Sequence, residues 1–98
     1  MEVFENSLTI CIPCVSMSIT QKYIYELFNN LKLGNIQKVD YYPTKKGFKK
    51  VFIIFNTWFK TEKSQKIKDK LLNNETMNVE YVSGVWKCKI QNNKISRY

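Results

Sequence analysis

The chain has 98 residues, a length that supplies one hydrophobic core, so we expect a single domain over residues 1–98. Apolar residues make up 44% of the chain and aromatic residues 14%, which excludes an intrinsically disordered protein. Sixteen basic residues against eight acidic ones give a net charge of +8, and this imbalance favours an anionic partner, first of all nucleic acid.

The basic residues are almost all lysines, since Arg97 is the only arginine. Lysine contacts phosphate as a point charge and lacks the bidentate fork with which arginine reads a guanine edge. The composition therefore favours contact with a nucleic-acid backbone over base reading. Lys, Asn and Ile are all abundant, as in proteins encoded by AT-rich genomes, so compositional drift is an alternative origin of the charge.

We expect neither a membrane span nor a secretory signal. No stretch approaches the roughly 18 to 20 consecutive apolar residues of a span, and residues 1–5 form an acidic start. Three cysteines, Cys11, Cys14 and Cys88, are an odd and sparse set for a secreted disulfide scaffold. We therefore expect an intracellular protein with no membrane attachment and no structural disulfide.

A strand and a helix are predicted first. Residues 8–12 alternate large apolar with smaller side chains, and Pro13 removes a ladder donor, so the strand should end there. Ser18 begins the S-x-x-Q spacing of a capping box, which places the helix start at Ile19. Gly34 is expected to end this helix in a left-handed conformation. The apolar stripe of the helix consists of Ile24, Leu27, Phe28 and Leu31.

A hairpin and a second helix follow. A strand over residues 36–41 leads into a turn over residues 43–47, which contains Pro and Gly. The run over residues 50–55 is rich in β-branched and aromatic side chains and is predicted as a central strand. Residues 61–72 place apolar side chains on one helical face and lysines on the other, which predicts a basic amphipathic helix.

The chain then forms its last strands. Residues 77–81 are predicted as a short strand that returns, through a turn at residues 83–84, into a longer strand over residues 85–90. Trp58 and Trp86 are expected in the core. We interpret the element order as strand, helix, strand, strand, helix, strand. The predicted class is α+β: a ferredoxin-like βαββαβ sandwich in which a four-stranded antiparallel sheet carries both helices on one face.

Two segments resemble the RNA recognition motif (RRM). Residues 46–55, KGFKKVFIIF, are similar to the family's octapeptide of basic, Gly and aromatic residues, although Lys50 occupies one of its aromatic positions. Residues 10–15, ICIPCV, lie where the family's first-strand hexapeptide belongs, with Cys11 at a position that is usually aromatic. The resemblance covers about residues 7–90 and implies binding of single-stranded RNA.

The resemblance extends to a narrower group of proteins. Residues 49–58 and the dipeptide Trp86–Lys87 are similar to small, uncharacterised RRM-like proteins of large DNA viruses. For a viral protein, the resemblance implies a place in the cytoplasm or nucleus of the host cell.

Strand alternation predicts where an RNA site would lie. Side chains of a strand alternate between the two faces, so Val51, Ile53 and Phe55 should face the helices while Lys50 and Phe52 face away. Aromatic rings among cations suit single-stranded nucleic acid, because bases stack on the rings and phosphates contact the cations. We expect Phe52 and Lys50 to contribute most. The full predicted site is Phe52, Lys50, Phe48, Lys46, Lys49, Tyr42, Lys87, Lys89 and Cys11.

Two alternatives remain open. RRM domains that lack their stacking rings often bind proteins instead, and Tyr23, Tyr25, Trp58 and Tyr98 are candidates for such a surface. The C-x-P-C segment from Cys11 to Cys14 also has a spacing found in small Cu(I)-carrying domains, for which two thiolates suffice.

Catalysis is not expected. The chain has no histidine, and its carboxylates are scattered, so we find no nucleophile with a base, no phosphate loop and no metal triad. We expect neither an enzyme nor a bound cofactor.

Overall fold

Two helices and five strands follow one another in the computed structural model, which describes residues 8–91. The acidic start, Arg97, Tyr98 and the rest of the polar tail lie outside this range. Neither helix in residues 8–91 combines the length and the apolar character needed to cross a membrane. The elements are β1 (Thr9–Ser16), α1 (Gln21–Asn30), β2 (Gly34–Pro43), β3 (Phe48–Trp58), α2 (Glu62–Leu72), β4 (Met77–Tyr81) and β5 (Gly84–Ile90).

The strands form one antiparallel sheet in the order β2-β3-β1-β5-β4. The α+β class is therefore confirmed, but the predicted count of four strands is wrong. Residues 77–81 form a full edge strand, paired with β5 from Met77 opposite Cys88 to Tyr81 opposite Gly84. A two-residue turn joins these strands and lets the hairpin widen the sheet by one strand.

One face of the sheet forms the core with both helices. Side chains of β1 and β3 that alternate along the strands are completely or almost completely buried, as predicted. The same core cluster includes Ile24 and Phe28 of α1 and Leu71 of α2. Trp58 and Trp86 also belong to it, which confirms their predicted burial. The inward-facing residues of β1 and β3 are Ile10, Ile12, Val51, Ile53 and Phe55.

Strand β1 continues beyond Pro13, contrary to the prediction that it ends there. The register with β3 shifts between Ile12 and Val15, so Pro13 and Cys14 form an exposed irregularity and pairing resumes at Val15 opposite Lys49. A proline is tolerated at such a bulge because the bulged residue needs no ladder hydrogen bond.

Helix α1 begins later than the capping-box spacing predicts. Thr20 is the N-cap, and its hydroxyl accepts a hydrogen bond from the Tyr23 N–H at 3.1 Å. Ser18 instead contacts the hydroxyl of Ser16, with 2.9 Å between the two oxygens. The amide of Gln21 donates to the Val39 carbonyl, 2.6 Å away, and so ties the helix to β2.

The end of α1 also differs from the prediction. Lys32, not Gly34, has the left-handed conformation, with a φ of 58°. Gly34 is the first residue of β2 and lies against β3, where an added Cβ would clash with the Thr57 carbonyl oxygen. The glycine is therefore required by the close approach of two strands and not by a helix stop.

The N-cap assignment predicts a contrast between two variants. Thr20→Ala should lower the free energy of unfolding by about 1 kcal/mol, since it removes the acceptor for the Tyr23 N–H. Ser18→Ala, the matched control, should change it by less than about 0.5 kcal/mol because Ser18 is exposed and caps nothing. Urea unfolding followed by circular dichroism measures both. A larger loss for Ser18→Ala would contradict the assignment.

Candidate nucleic-acid interface

The sheet face opposite the helices is called the outer face here. It is built by the strand residues that alternate with the buried ones, so the same periodicity that fills the core also populates this face. Its aromatic side chains come from β2 and β3, and its lysines come from β2, β3 and β5. The residues of the outer face are Lys38, Asp40, Tyr42, Phe48, Lys50, Phe52, Ile54, Thr9, Cys11, Val85, Lys87, Lys89, Asn78 and Glu80.

Phe52 lies near the centre of the outer face. The register places it between Asp40 of β2 and Cys11 of β1, and Cys11 in turn pairs with Lys89 of β5. Lys50, two residues earlier on the same strand, pairs with Tyr42. Phe52 and Lys50, the two residues expected to contribute most, therefore share this face with Lys89 from the far side of the sheet.

The aromatic rings of this face differ in exposure. Tyr42 is 55% exposed and Phe48 is 39% exposed, whereas Phe52 is only partly exposed. The rings of Tyr42 and Phe52 meet edge to face, with centroids 5.6 Å apart and planes at 66°. Tyr42 is the most open ring because it lies on the edge strand β2. Strand alternation correctly predicted that Phe52 faces away from the helices. Phe52 was, however, expected to contribute more to binding than Tyr42, whose ring is more exposed.

The charges of the outer face are mainly positive. Lys87 and Lys89 are exposed, and Lys50 is partly exposed between Tyr42 and the bulge of β1. The carboxylate of Asp40 faces Lys38, with 3.5 Å between Nζ and Oδ2, so this negative charge is paired. Lys46 is exposed in the turn between β2 and β3, at one end of the face.

Lys49 does not share this face. It has the same strand parity as Val51 and is 4% exposed on the helix side of β3. Its Nζ donates to the Ile19 carbonyl at 2.5 Å and lies 4.6 Å from the centroid of the Tyr41 ring. Burial lowers the pKa of this ammonium, and the carbonyl and the ring provide partners for its charge. Lys49 therefore holds the loop before α1 and is not a surface cation.

Cys11 lies on the outer face but is only 3% exposed. Burial raises the pKa of its thiol, and the nearby charges of Lys50 and Lys89 act in the opposite direction. The thiol is therefore uncharged and covered, with Lys50 and Lys89 nearby, and it does not form a contact surface. Its partner in the C-x-P-C segment, Cys14, is exposed in the bulge.

The third cysteine belongs to the core. Cys88 is completely buried, and desolvation raises its pKa to about 12, with a smaller contribution from Cys11. Within residues 8–91, no three His, Cys, Asp or Glu side chains converge as a metal site. The Cu(I) alternative needs only two thiolates, and of its two cysteines Cys11 is buried in the sheet while Cys14 is exposed in the bulge.

No protein-family model matches this chain. No curated protein and no solved structure matches it either. The resemblance to the RRM therefore stays a prediction, and the interpretation of the outer face depends on its geometry and charge.

Residues 77–81 were predicted as a short strand, but the predicted four-stranded sheet did not include them. The strand β4 forms an open edge, on which Asn78 and Glu80 are exposed while Met77 and Val79 point towards the helices. The signal was present in the sequence, since polar and apolar residues alternate from Met77 to Tyr81.

The positions of two adjacent lysines predict unequal effects of their substitution on stability. Lys49→Met should lower the free energy of unfolding by about 1 to 2 kcal/mol, because it removes a charged hydrogen bond and a cation–π contact. Lys50→Met should change it by less than about 0.5 kcal/mol. Chemical denaturation of both variants measures the difference. Equal losses of stability would show that Lys49 has no special structural role.

Proposed function

We propose that the chain binds single-stranded RNA through the outer face, without catalysis, in the manner of a ferredoxin-like RRM domain. The observation that carries the proposal is the grouping of three rings, Tyr42, Phe48 and Phe52, around Lys50 on one sheet face. The strand order β2-β3-β1-β5, with helices after β1 and β3, supports a ferredoxin-like architecture that a hairpin strand has widened.

Stacking on the rings provides the first part of the binding energy. A base stacked on an aromatic side chain contributes roughly 1 to 3 kcal/mol, and every base has a face that can stack. Tyr42 and Phe48 are open enough to receive bases directly. Phe52 contributes its partly exposed ring and supports Tyr42 from the side.

Lysines provide the second part by contacting phosphates. Lys46, Lys50, Lys87 and Lys89 surround the rings from the turn, the centre and the far side of the sheet. Lys38 is occupied by Asp40 and Lys49 is buried, so neither is counted as a phosphate contact. Because point charges follow the backbone and do not read base edges, we expect broad sequence tolerance.

Affinity and its salt dependence test the proposal. For single strands, the slope of log affinity against log salt is about −0.7 for each phosphate neutralised. Four contacting lysines therefore predict an affinity loss of about 50-fold between 50 and 200 mM salt. Fluorescence anisotropy with a labelled, mixed-sequence RNA of about 12 nucleotides measures this loss, and DNA of the same sequence tests the preference for RNA.

Ring variants locate the site. The double variant Tyr42→Leu with Phe52→Leu keeps apolar volume in the sheet but removes two rings, and it should weaken RNA binding at least about tenfold. Tyr25→Leu is the matched control, because Tyr25 is 44% exposed on α1, away from the outer face. Unchanged RNA affinity in the double variant, or weak RNA binding whose affinity does not change with salt concentration, would contradict the proposal and favour a protein-binding module.

A further inference from the structure

Two consecutive tyrosines of β2 lie on opposite faces of the sheet. Tyr42 belongs to the outer face, so Tyr41, its neighbour in the strand, points to the helix side. Strand β2 is an edge strand, and only its open edge separates the two side chains on the outside of the sheet. Both rings are accessible, since Tyr41 is 42% exposed and Tyr42 is 55% exposed. A flexible ligand on the outer face can therefore reach Tyr41 by passing around this edge.

A buried cation holds the ring of Tyr41 in place. The Lys49 Nζ lies over the ring, 4.6 Å from its centroid, and Lys49 is almost completely buried, so the ring covers the ammonium. The same Nζ donates to the Ile19 carbonyl at 2.5 Å, which fixes the cation from the loop before α1. Because one ring face is occupied in this way, the exposure of Tyr41 belongs to its opposite face and its edge. A base can stack on that face without first having to order a mobile side chain.

The strand edge between the two rings carries a backbone donor. The Thr44 N–H donates to the Phe48 carbonyl at 3.1 Å, which makes these two residues a hydrogen-bonded pair. Antiparallel pairs alternate between hydrogen-bonded and non-hydrogen-bonded types, so Tyr42 and Lys50 form the next hydrogen-bonded pair along the strands. The N–H and C=O groups of Tyr41 consequently point away from β3, towards the open edge.

The neighbouring positions of this edge are poorly suited to pairing with another strand. The Val39 carbonyl, which also points outward, accepts a hydrogen bond from the Gln21 amide at 2.6 Å. Pro43 has no N–H, and the register of β2 shifts twice before Lys38. The outward groups of the edge are therefore interrupted, and the Tyr41 N–H is the donor nearest the two rings.

The charges near this edge permit a phosphate to cross it. Residues 13–25 and 41–50, which surround Tyr41 in the chain and across the loop before α1, contain no carboxylate. Asp40 lies on the outer face and is paired with Lys38 at 3.5 Å. Lys45 is exposed in the turn that follows β2. An anion at the edge therefore meets an N–H donor and a nearby cation without an opposing unpaired charge.

The order of groups around the edge matches a nucleic-acid strand. The ring of Tyr42, the N–H of Tyr41 and the ring of Tyr41 follow one another from the outer face to the helix side. A single strand presents a base, a phosphate and a second base in the same order. An added polypeptide strand would instead need a continuous row of backbone partners, which the covered Val39 carbonyl and Pro43 prevent.

We propose that the RNA strand on the outer face crosses the β2 edge and stacks one further base on Tyr41, on the helix side of the sheet. The phosphate between this base and the base on Tyr42 accepts a hydrogen bond from the Tyr41 N–H. Lys49 acts as a positioning residue, because its ammonium holds the ring from the side that the base does not use. The inference rests on the proposed function and adds one nucleotide to its site.

Variants at position 41 test the crossing. Tyr41→Leu removes the ring and should weaken the binding of a labelled, mixed-sequence RNA of about 12 nucleotides at least about fivefold, measured by fluorescence anisotropy. Tyr41→Phe keeps the ring and its contact with Lys49, so its affinity should stay within about twofold of that of the unmodified protein. Tyr25→Leu is the matched control, because Tyr25 is similarly exposed but lies on α1, and it should leave the affinity unchanged.

RNA length distinguishes a stacking contact from a structural effect. A base reaches Tyr41 only when the strand is longer than the part that the outer face holds. The loss caused by Tyr41→Leu should therefore shrink as the RNA is shortened, and fall below about twofold for an RNA of about four nucleotides. The loss caused by Tyr42→Leu with Phe52→Leu should persist at every length that binds.

NMR on the unmodified protein makes the test independent of any variant. Added RNA of about 12 nucleotides should shift the ring protons of Tyr41, through the ring current of the stacked base, and its backbone amide, through the bond to phosphate. The RNA of about four nucleotides should shift the Tyr42 ring and leave both Tyr41 signals in place.

Three outcomes would overturn the crossing. In the first, the double variant Tyr42→Leu with Phe52→Leu weakens binding while Tyr41→Leu does not, so the RNA stays on the outer face and the proposed function stands alone. In the second, Tyr41→Leu weakens binding equally at every length, which assigns Tyr41 to the packing of Lys49. In the third, the double variant changes nothing, so the proposed function fails and the crossing fails with it.

Discussion

The alternation of side chains along β3 is the constraint on which the rest of the molecule depends. This strand lies between β2 and β1. One of its faces packs against the helices, and the other belongs to the outer face. Val51, Ile53 and Phe55 are completely buried and join both helices in one core. Because side chains alternate, the same register must place Phe52 and Lys50 on the opposite face. Core packing and the candidate site are thus two consequences of a single strand register.

The bulge in β1 keeps this register intact around a residue that cannot pair normally. Pro13 lacks an N–H, and the irregularity between Ile12 and Val15 absorbs it without moving inward-facing residues to the other face. Lys49, opposite Val15, is consequently held on the helix side, where it anchors the loop before α1. A simple interruption of β1 at Pro13 would have left this end of β3 paired with β2 alone.

The periodicity of apolar residues predicted much of the fold, whereas the helix cap and the exposure of individual side chains were harder to predict. The inward faces of β1 and β3 and the burial of both tryptophans follow from the sequence. The N-cap at Thr20 did not, because Ser18 offers an equally good capping spacing, whereas in the structure Ser18 bonds to Ser16 and the Gln21 amide bonds to the Val39 carbonyl. Residues 77–81 were predicted as a short strand but were left out of the four-stranded sheet, since only the pairing with β5 shows that so short a segment joins the sheet. In the site, exposure could not be predicted: Cys11 is on the expected face but covered, and Tyr42 is open because of its edge position.

The central claim is that the rings of the outer face are the surface that nucleic acid contacts. Aromatic proton and carbon chemical shifts, measured by NMR while a mixed-sequence single-stranded RNA is added, test this claim most directly. The account predicts that Tyr42, Phe48 and Phe52 show the largest changes, owing to ring currents of stacked bases, while Tyr25 on α1 stays unchanged. Changes confined to the helices, with silent rings on the outer face, would contradict it.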